Sequence, residues 1–306
     1  MKSTFKRVAD AWKEEKRRYV KISSYAAYMQ LLNCHILPFM ASRDVPDNDT
    51  LQLLADKMLY EGIGIKTVKD TLLVFKMIIH YGSKTKAWGP VDTRVHYPTQ
   101  TEVQKMPPVM DKNYQHKLLD YLRTHISFRN LGIFLCLHSG LRIGEVCGLR
   151  WKDLDIQENV IHVNKTVQRI FLRDGVEQLY FLSIDSPKSA SSRRDIPISA
   201  ELLKIIRPLR KITVDNYFVL SNAPMPIEPR NYREYYKRLL RELDIPQVRF
   251  HALRHSFATR CIESKCDYKT VSAILGHASI TTTMDLYVHP GFEEKKRCIE
   301  KMSRGM

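Results

Sequence analysis

Apolar residues recur at helical spacing through residues 5–82, lose all period between Lys84 and Pro108, and return in a second half whose helices are interrupted by β-branched runs. A segment without periodic apolar positions has no face to bury and serves as a connection, so a chain punctuated in this way folds as two units. In the first half, Ser24 precedes YAAYMQLLNCHIL, whose Tyr25, Tyr28, Leu32 and Ile36 share a helical face up to Pro38, where the helix is expected to stop. LQLLADKMLYEG and TVKDTLLVFKMIIHYG, ending at Gly82, complete a small helical bundle. Gly89, Pro90 and Pro98, and then Pro107 and Pro108, mark a terminal extension and a linker.

The second half opens with three helices: YQHKLLDYLRTH, FRNLGIFLCLHSG and one beginning near Leu141. NVIHVNKTVQ and EQLYFLSI have the β-branched and aromatic content of strands, and SPKSASSRRDIPIS reads as a polar turn before a short strand. Helical pattern resumes at Leu202. The expected fold class is mainly α (α+β), a helical bundle followed by a mixed domain with a small antiparallel sheet. The domains fall at 1–97 and 107–306, with a linker at 98–106. A length of 306 residues accommodates two domains of about 100–200 residues each.

Charge narrows the partner. Lys and Arg total 49 against 33 Asp and Glu, a net +16 with a pI near 9.5, which favours a polyanion. Residues 1–100 hold 16 basic and 10 acidic side chains, so both halves are basic and a single cationic tail does not account for the excess. No apolar run approaches the roughly 18 residues of a membrane span, and MKSTFKRVADAWKEEKRR has no signal-peptide core, so the expected location is the cytoplasm, with no membrane partner. The six cysteines show no Cys-x-x-Cys spacing and suit reduced thiols. His251 and His255 have the spacing of a zincin helix, but Ala252 stands where that helix needs its Glu base, so no metal is expected.

Polar residues concentrate in four places. In HSGLRIGEVCGLRWKDLD, Ser139 and Gly140 read as a helix start with Arg142 in its first turn and Glu145 a turn later; the pair is either a surface ion pair or an arginine held at a helix end for an anion. In SPKSASSRR, Lys188 lies in a hairpin turn between two predicted strands, either solvated or presented as a proton donor. RFHALRHSFATRCIES buries Phe250, Leu253, Phe257 and Cys261, sets His251 and Arg254 on a neighbouring face, and leaves His255 and Arg260 as a polar flank. In DYKTVSAILGHASITTTMDLYVHP, Asp267 caps a helix to Leu275, Gly276 ends it, His277 follows, and Ser279 caps a short helix with Tyr287; a tyrosine alone is ordinarily core.

Together these segments resemble the tyrosine recombinase (phage integrase) family, including its two-domain integrases of mobile elements and Xer-like recombinases. GLRIGEV matches the first arginine box, HALRHSFAT the His-x-x-Arg box and LGHASITTTMDLY the Leu-Gly-His box, with a tyrosine ten residues beyond the histidine. SYAAYMQLLNCHILPF resembles the first helix of the family's core-site DNA-binding domain. The resemblance implies that Arg142, Lys188, His251, Arg254 and His277 activate a phosphodiester and that Tyr287 is the nucleophile. It implies a site-specific recombinase, an integrase that cuts and rejoins DNA through a 3′-phosphotyrosine and a four-way junction, without cofactor or metal. Its implied partners are double-stranded DNA with paired inverted core sites, three further copies of itself in a homotetramer, and an accessory directionality or DNA-bending protein. Gly144 and Ser256 depart from the commoner Ser and Thr of the boxes. A type IB topoisomerase-like relaxing enzyme and a non-enzymatic DNA-binding regulator are the competing readings. In the tail, Phe292, Ile299 and Met302 form a narrow apolar stripe for a groove on its own domain or on a neighbour.

Overall fold

The computed structural model describes residues 4–98, 109–174, 177–186, 190–287, 296, 299, 300, 302 and 303. The chain forms two compact units, Met1–Val103 with Ile170–Phe181, and Gln104–Arg169 with Leu182–Met306. Ile170–Phe181 lies inside the stretch expected to be one continuous domain and groups with the first unit. Most of the linker expected at 98–106 falls outside the described residues.

The first unit is built from α1 (Thr4–Tyr19), α2 (Ile22–Leu31), α3 (Leu37–Phe39), α4 (Thr50–Tyr60) and α5 (Ile65–Lys84). Asp44 closes the start of α1, its carboxylate accepting from Thr4 N at 2.6 Å and its carbonyl from Phe5 N at 2.8 Å. Phe5, Trp12, Tyr25, Met29, Leu32, Phe75 and Ile78 fill the core. Pro38 does not stop its helix as the sequence suggested. Residues Leu32–Ile36 form a π turn in which Leu37 N reaches back five residues to Leu32 O; the widened turn gives the proline ring room, and the helix runs on to Phe39. Trp88, in the extension after α5, stacks on Phe5 with ring centroids 6.0 Å apart and donates from Nε1 to Ile79 O at 3.1 Å.

The second unit begins with α6 (Lys112–Thr124), α7 (Phe128–Ser139) and α8 (Ile143–Gly148). Strands follow: β1 (Leu154–Asp155), β2 (Val160–Val163), β3 (Thr166–Asp174), β4 (Glu177–Asp185) and β5 (Arg194–Pro197). The chain then closes with α9 (Ala200–Arg210), α10 (Pro229–Glu242), α11 (His251–Glu263), α12 (Tyr268–Leu275) and α13 (Ile280–Tyr287). The order β1-β2-β5 is antiparallel, with Ile161 opposite Ile196, and β3 pairs with β4 in a separate ribbon whose outer part belongs to the first unit. β5 pairs with β2 rather than β4, so these two consecutive strands lie in different sheets and do not form the hairpin expected around Lys188; Lys188 itself lies outside the described residues.

α7 is apolar on nearly every side and is buried accordingly, with α11 packed along it. Ser139 and Gly140, expected to start a helix, end this one. Gly140, at φ 65°, is the left-handed cap of α7, its N–H bonded to Cys136 O at 3.0 Å, and Arg142 becomes the residue just before α8. This tight turn brings the first arginine box to the end of the central helix.

Candidate active site

Arg142 is fixed from both sides. Its backbone N–H donates to Glu145 Oε2 at 2.8 Å and its Nη1 to Glu145 Oε1 at 2.9 Å, while Nη2 donates to Gly276 O at 3.0 Å. The side chain remains 35% exposed, so its fork is held yet open to an incoming anion. Glu145 is not the surface partner the sequence allowed but is 3% exposed, and Arg194 clamps its far side, Nη1 to Oε1 at 3.0 Å and Nη2 to Oε2 at 2.9 Å. Burial pushes the Glu145 carboxyl up; the hydrogen bonds and charge of Arg194, joined by Arg142, outweigh it and hold the group below the usual carboxylate range.

Arg254 enters from α11 and is 2% exposed, donating from Nη1 to Gly140 O and from Nη2 to Leu275 O, both at 2.7 Å. His251, one turn earlier, is solvent-exposed and meets His255 edge to face at 4.5 Å between ring centroids. Although one edge of the His251 ring is open, desolvation by the protein packed around the rest, followed by His255, Arg254 and Arg142, lowers its pKa to about 4. His255 and Arg260 are not a solvated flank. His255 is buried, and Arg260 turns inward to donate to Leu137 O at 2.7 Å, since α11 packs against α7 over a wider face than four apolar residues suggested.

The end of α12 draws these groups together. Three consecutive carbonyls each accept from a different arginine: Ile274 from Arg194 Nε at 2.5 Å, Leu275 from Arg254 and Gly276 from Arg142. These are carbonyls a helix leaves unpaired at its negative end, so their satisfaction by cations is doubly favourable. Asp267 caps the other end through Thr270 N at 2.8 Å, and Gly276 is left-handed at φ 65°, both as expected. His277 follows immediately. Burial first, then Arg254, Arg142, Arg194 and His251, lower its pKa to about 4, and its Nδ1 lies 2.8 Å from Thr283 Oγ1. The backbone of α13, packed on α12 and α11, ends at Tyr287, whose side chain lies outside the description.

The fold therefore assembles Arg142, His251, Arg254 and His277 around one helix end, with Tyr287 ten residues beyond His277. Lys165, another lysine between strands, is bound to both carboxylate oxygens of buried Asp153 at 2.9 and 2.8 Å, a fixed ion pair. Among the described residues no group of three or more His, Cys, Asp or Glu is placed to hold a metal ion, and none of the described helices is long and apolar enough to cross a membrane. Cys34, Cys136, Cys147, Cys261 and Cys266 are free thiols.

Residues 108–294 match the phage integrase family, and residues 4–47 match the phage integrase N-terminal SAM-like domain. The chain belongs to the phage integrase family. Among its relatives, a XerC-like tyrosine recombinase of Caldanaerobacter subterraneus subsp. tengcongensis is 25% identical over 276 residues, covering 83% of this chain and 70% of that protein. The transposase of transposon Tn916 from Enterococcus faecalis is also 25% identical, over 64% of this chain and 51% of its own length. The fold matches a Tn1549 transposon integrase solved with transposon right-end DNA, at TM-score 0.75 and 21% identity over 99% of this chain and 100% of that one. It also matches a lambda integrase dimer bound to a core site, at TM-score 0.61 and 13% identity over 93% and 95%.

This integrase-family chain departs from the boxes at Gly144 for a steric reason: a Cβ there would lie 2.5 Å from Thr166 Oγ1 and 2.7 Å from Val167 O. The sequence reading missed Arg194 and Thr283. Arg194 carried a signal, since it alternates with buried Ile196 and Ile198 on the inward face near β5. Thr283 stood third in a run of three threonines with nothing to single it out.

Proposed function

We propose that this chain is a site-specific DNA recombinase of the mobile-element integrase kind, breaking and rejoining DNA through Tyr287. The observation that carries the reading is the grouping of Arg142, Arg254, His251 and His277 at the end of α12, one short helix from Tyr287. In the reaction the Tyr287 phenolate attacks the scissile phosphorus, forming a 3′-phosphotyrosine while the bond to the 5′-oxygen breaks. The energy of the phosphodiester is kept in the covalent link, and the freed 5′-hydroxyl of a partner strand reverses the step to complete exchange through a four-way junction. Arg142 and Arg254 stabilise charge on the non-bridging oxygens with donors fixed before the substrate arrives.

His251, held neutral at neutral pH, accepts the phenol proton. His277 hydrogen-bonds the phosphate. Lys188 protonates the leaving 5′-oxygen, a reading supported by Lys165 being committed to Asp153. The +16 charge supports a long DNA contact, shared between a core-site-binding domain at 1–97 and a catalytic domain at 107–306. Paired inverted core sites bring four copies together, and an accessory directionality or DNA-bending protein sets the outcome. Exposed Ile299 and Met302 suit docking of the tail on a neighbour; Phe292, the third member of their stripe, lies outside the described residues. The similarities run to recombinases, integrases and transposases, so neither the topoisomerase-like nor the regulator reading is favoured.

The test uses nicked duplexes cut from the inverted repeats flanking the gene, incubated in EDTA. The wild type is expected to form a covalent adduct on the 3′-phosphate and release a 5′-hydroxyl, and Tyr287→Phe to bind the same duplex with no adduct. An adduct persisting in Tyr287→Phe overturns the assignment.

A further inference from the structure

The Thr283 hydroxyl is fully buried, and among the described residues its hydrogen-bond partner is the Nδ1 of His277 at 2.8 Å. A neutral imidazole has one nitrogen that donates and one that accepts, whereas a threonine hydroxyl donates once and accepts up to twice. Two arrangements satisfy the 2.8 Å contact. If Nδ1 carried the proton, the hydroxyl would accept, and its own O–H would point into the protein with no acceptor among the described residues. If the hydroxyl donates to Nδ1, both groups are satisfied and the imidazole proton sits on Nε2. The second arrangement leaves no buried donor unmet. The ring is neutral at pH 7 because burial, Arg254, Arg142, Arg194 and His251 all disfavour its charge, so the choice between tautomers is a real one.

Thr283 also sits on α13, four residues and one helical turn before Tyr287. The contact therefore spans from the residue just after α12, whose last carbonyls hold the arginines, to the helix that ends at the tyrosine. We propose that Thr283 is a positioning residue, which fixes His277 as the Nε2–H tautomer and ties the helix ending at Tyr287 to that ring. His277 then offers a hydrogen-bond donor to a phosphoryl oxygen rather than a lone pair that would repel it. The inference deepens the recombinase reading and rests on it for the phosphate; the tautomer itself does not depend on activity.

The decisive measurement is a long-range proton–nitrogen correlation spectrum of the full-length protein labelled with ¹⁵N-histidine at pH 7, the His277 signals being assigned by their loss in His277→Asn. The wild type is expected to show a neutral His277 with its proton on Nε2. Thr283→Val keeps the shape and removes the hydroxyl, and is expected to give a mixture of tautomers, while Thr283→Ser restores the wild-type pattern. On the nicked duplex described above, Thr283→Val is expected to cleave about tenfold more slowly with duplex affinity unchanged, and Thr283→Ser to recover most of the rate. A wild-type His277 protonated at Nδ1, or equal cleavage by the valine and serine variants, overturns the proposal. Should Thr283→Val fold poorly, the wild-type tautomer and the serine variant still decide it. A wild type with the Nε2–H tautomer but no adduct at Tyr287 instead counts against the recombinase reading alone.

Discussion

Arg193 and Arg194 are neighbours of identical chemistry, yet only the second is drawn inward, its side chain 6% exposed against Glu145. Strand alternation makes the difference, placing Arg194 in line with Ile196 and Ile198. That alternation was visible in the sequence, but a charge at an inward position reads as an error in the pattern until its partner is known. The partner, Glu145, was visible as well; its burial was not, because burial is decided by α7 and β5, elements distant in sequence. The same crowding makes the site sensitive to acid. His251 and His277, near the usual histidine value of about 6.5 when unfolded, fall to about 4 in the fold, so the unfolded chain takes up protons first as pH drops. Their contribution to stability is complete above about pH 6.5 and is lost by about pH 4, with Glu145 adding a further loss where its lowered carboxyl protonates. The melting temperature is expected to fall across this window, and less steeply in the double variant His251→Asn, His277→Asn, with His255 and His138, also lowered by burial, retaining the rest of the slope. Equal slopes in thermal scans from pH 7 to pH 4 would rule this account out.

At the scale of the element, α12 shows how much a short helix can do with its backbone alone. Its boundaries were legible, since Asp267 and Gly276 are ordinary cap residues at the ordinary places. Its function as an arginine cradle was not, because carbonyls are the same at every position and only tertiary packing decides which cation reaches them. The Pro38 turn failed for a related reason: proline signals a break, and the π turn that accommodates it has no sequence mark of its own. Gly276→Ala tests the cradle. The left-handed φ disfavours any Cβ, and the added atom would lie 2.9 Å from Ser191 O, so the variant is expected to lose about 1–2 kcal/mol of stability in denaturant unfolding. Moving the Gly276 carbonyl also loosens Arg142, and cleavage is expected to drop about tenfold or more with duplex binding retained. A stable variant with full cleavage would show that this carbonyl has no part in aiming the arginine.

For the whole molecule, the two-unit organisation was legible from the break in apolar period after residue 82, whereas the return of Ile170–Phe181 to the first unit was not, since β3 and β4 carry no label saying which core they serve. Leu172 packs against the first unit's core, and Arg173 O accepts from Asn33 Nδ2 at 2.9 Å. The fragment 1–103 is therefore expected to be less stable, by about 1–3 kcal/mol, than the same fragment carrying residues 170–181 on a short linker, and to melt at a lower temperature. Identical melting of the two would mean that the ribbon lends the bundle nothing. The arrangement also sets a timetable on the ribosome. A bundle encoded at the start of the chain would ordinarily settle as soon as it emerged, but this one lacks its last strand pair until residue 181 is made, roughly 4–16 s after residue 103 at about 5–20 residues per second. Throughout that interval the nascent chain carries an unfinished apolar surface, and its exposure to chaperones and proteases is governed by the speed of translation.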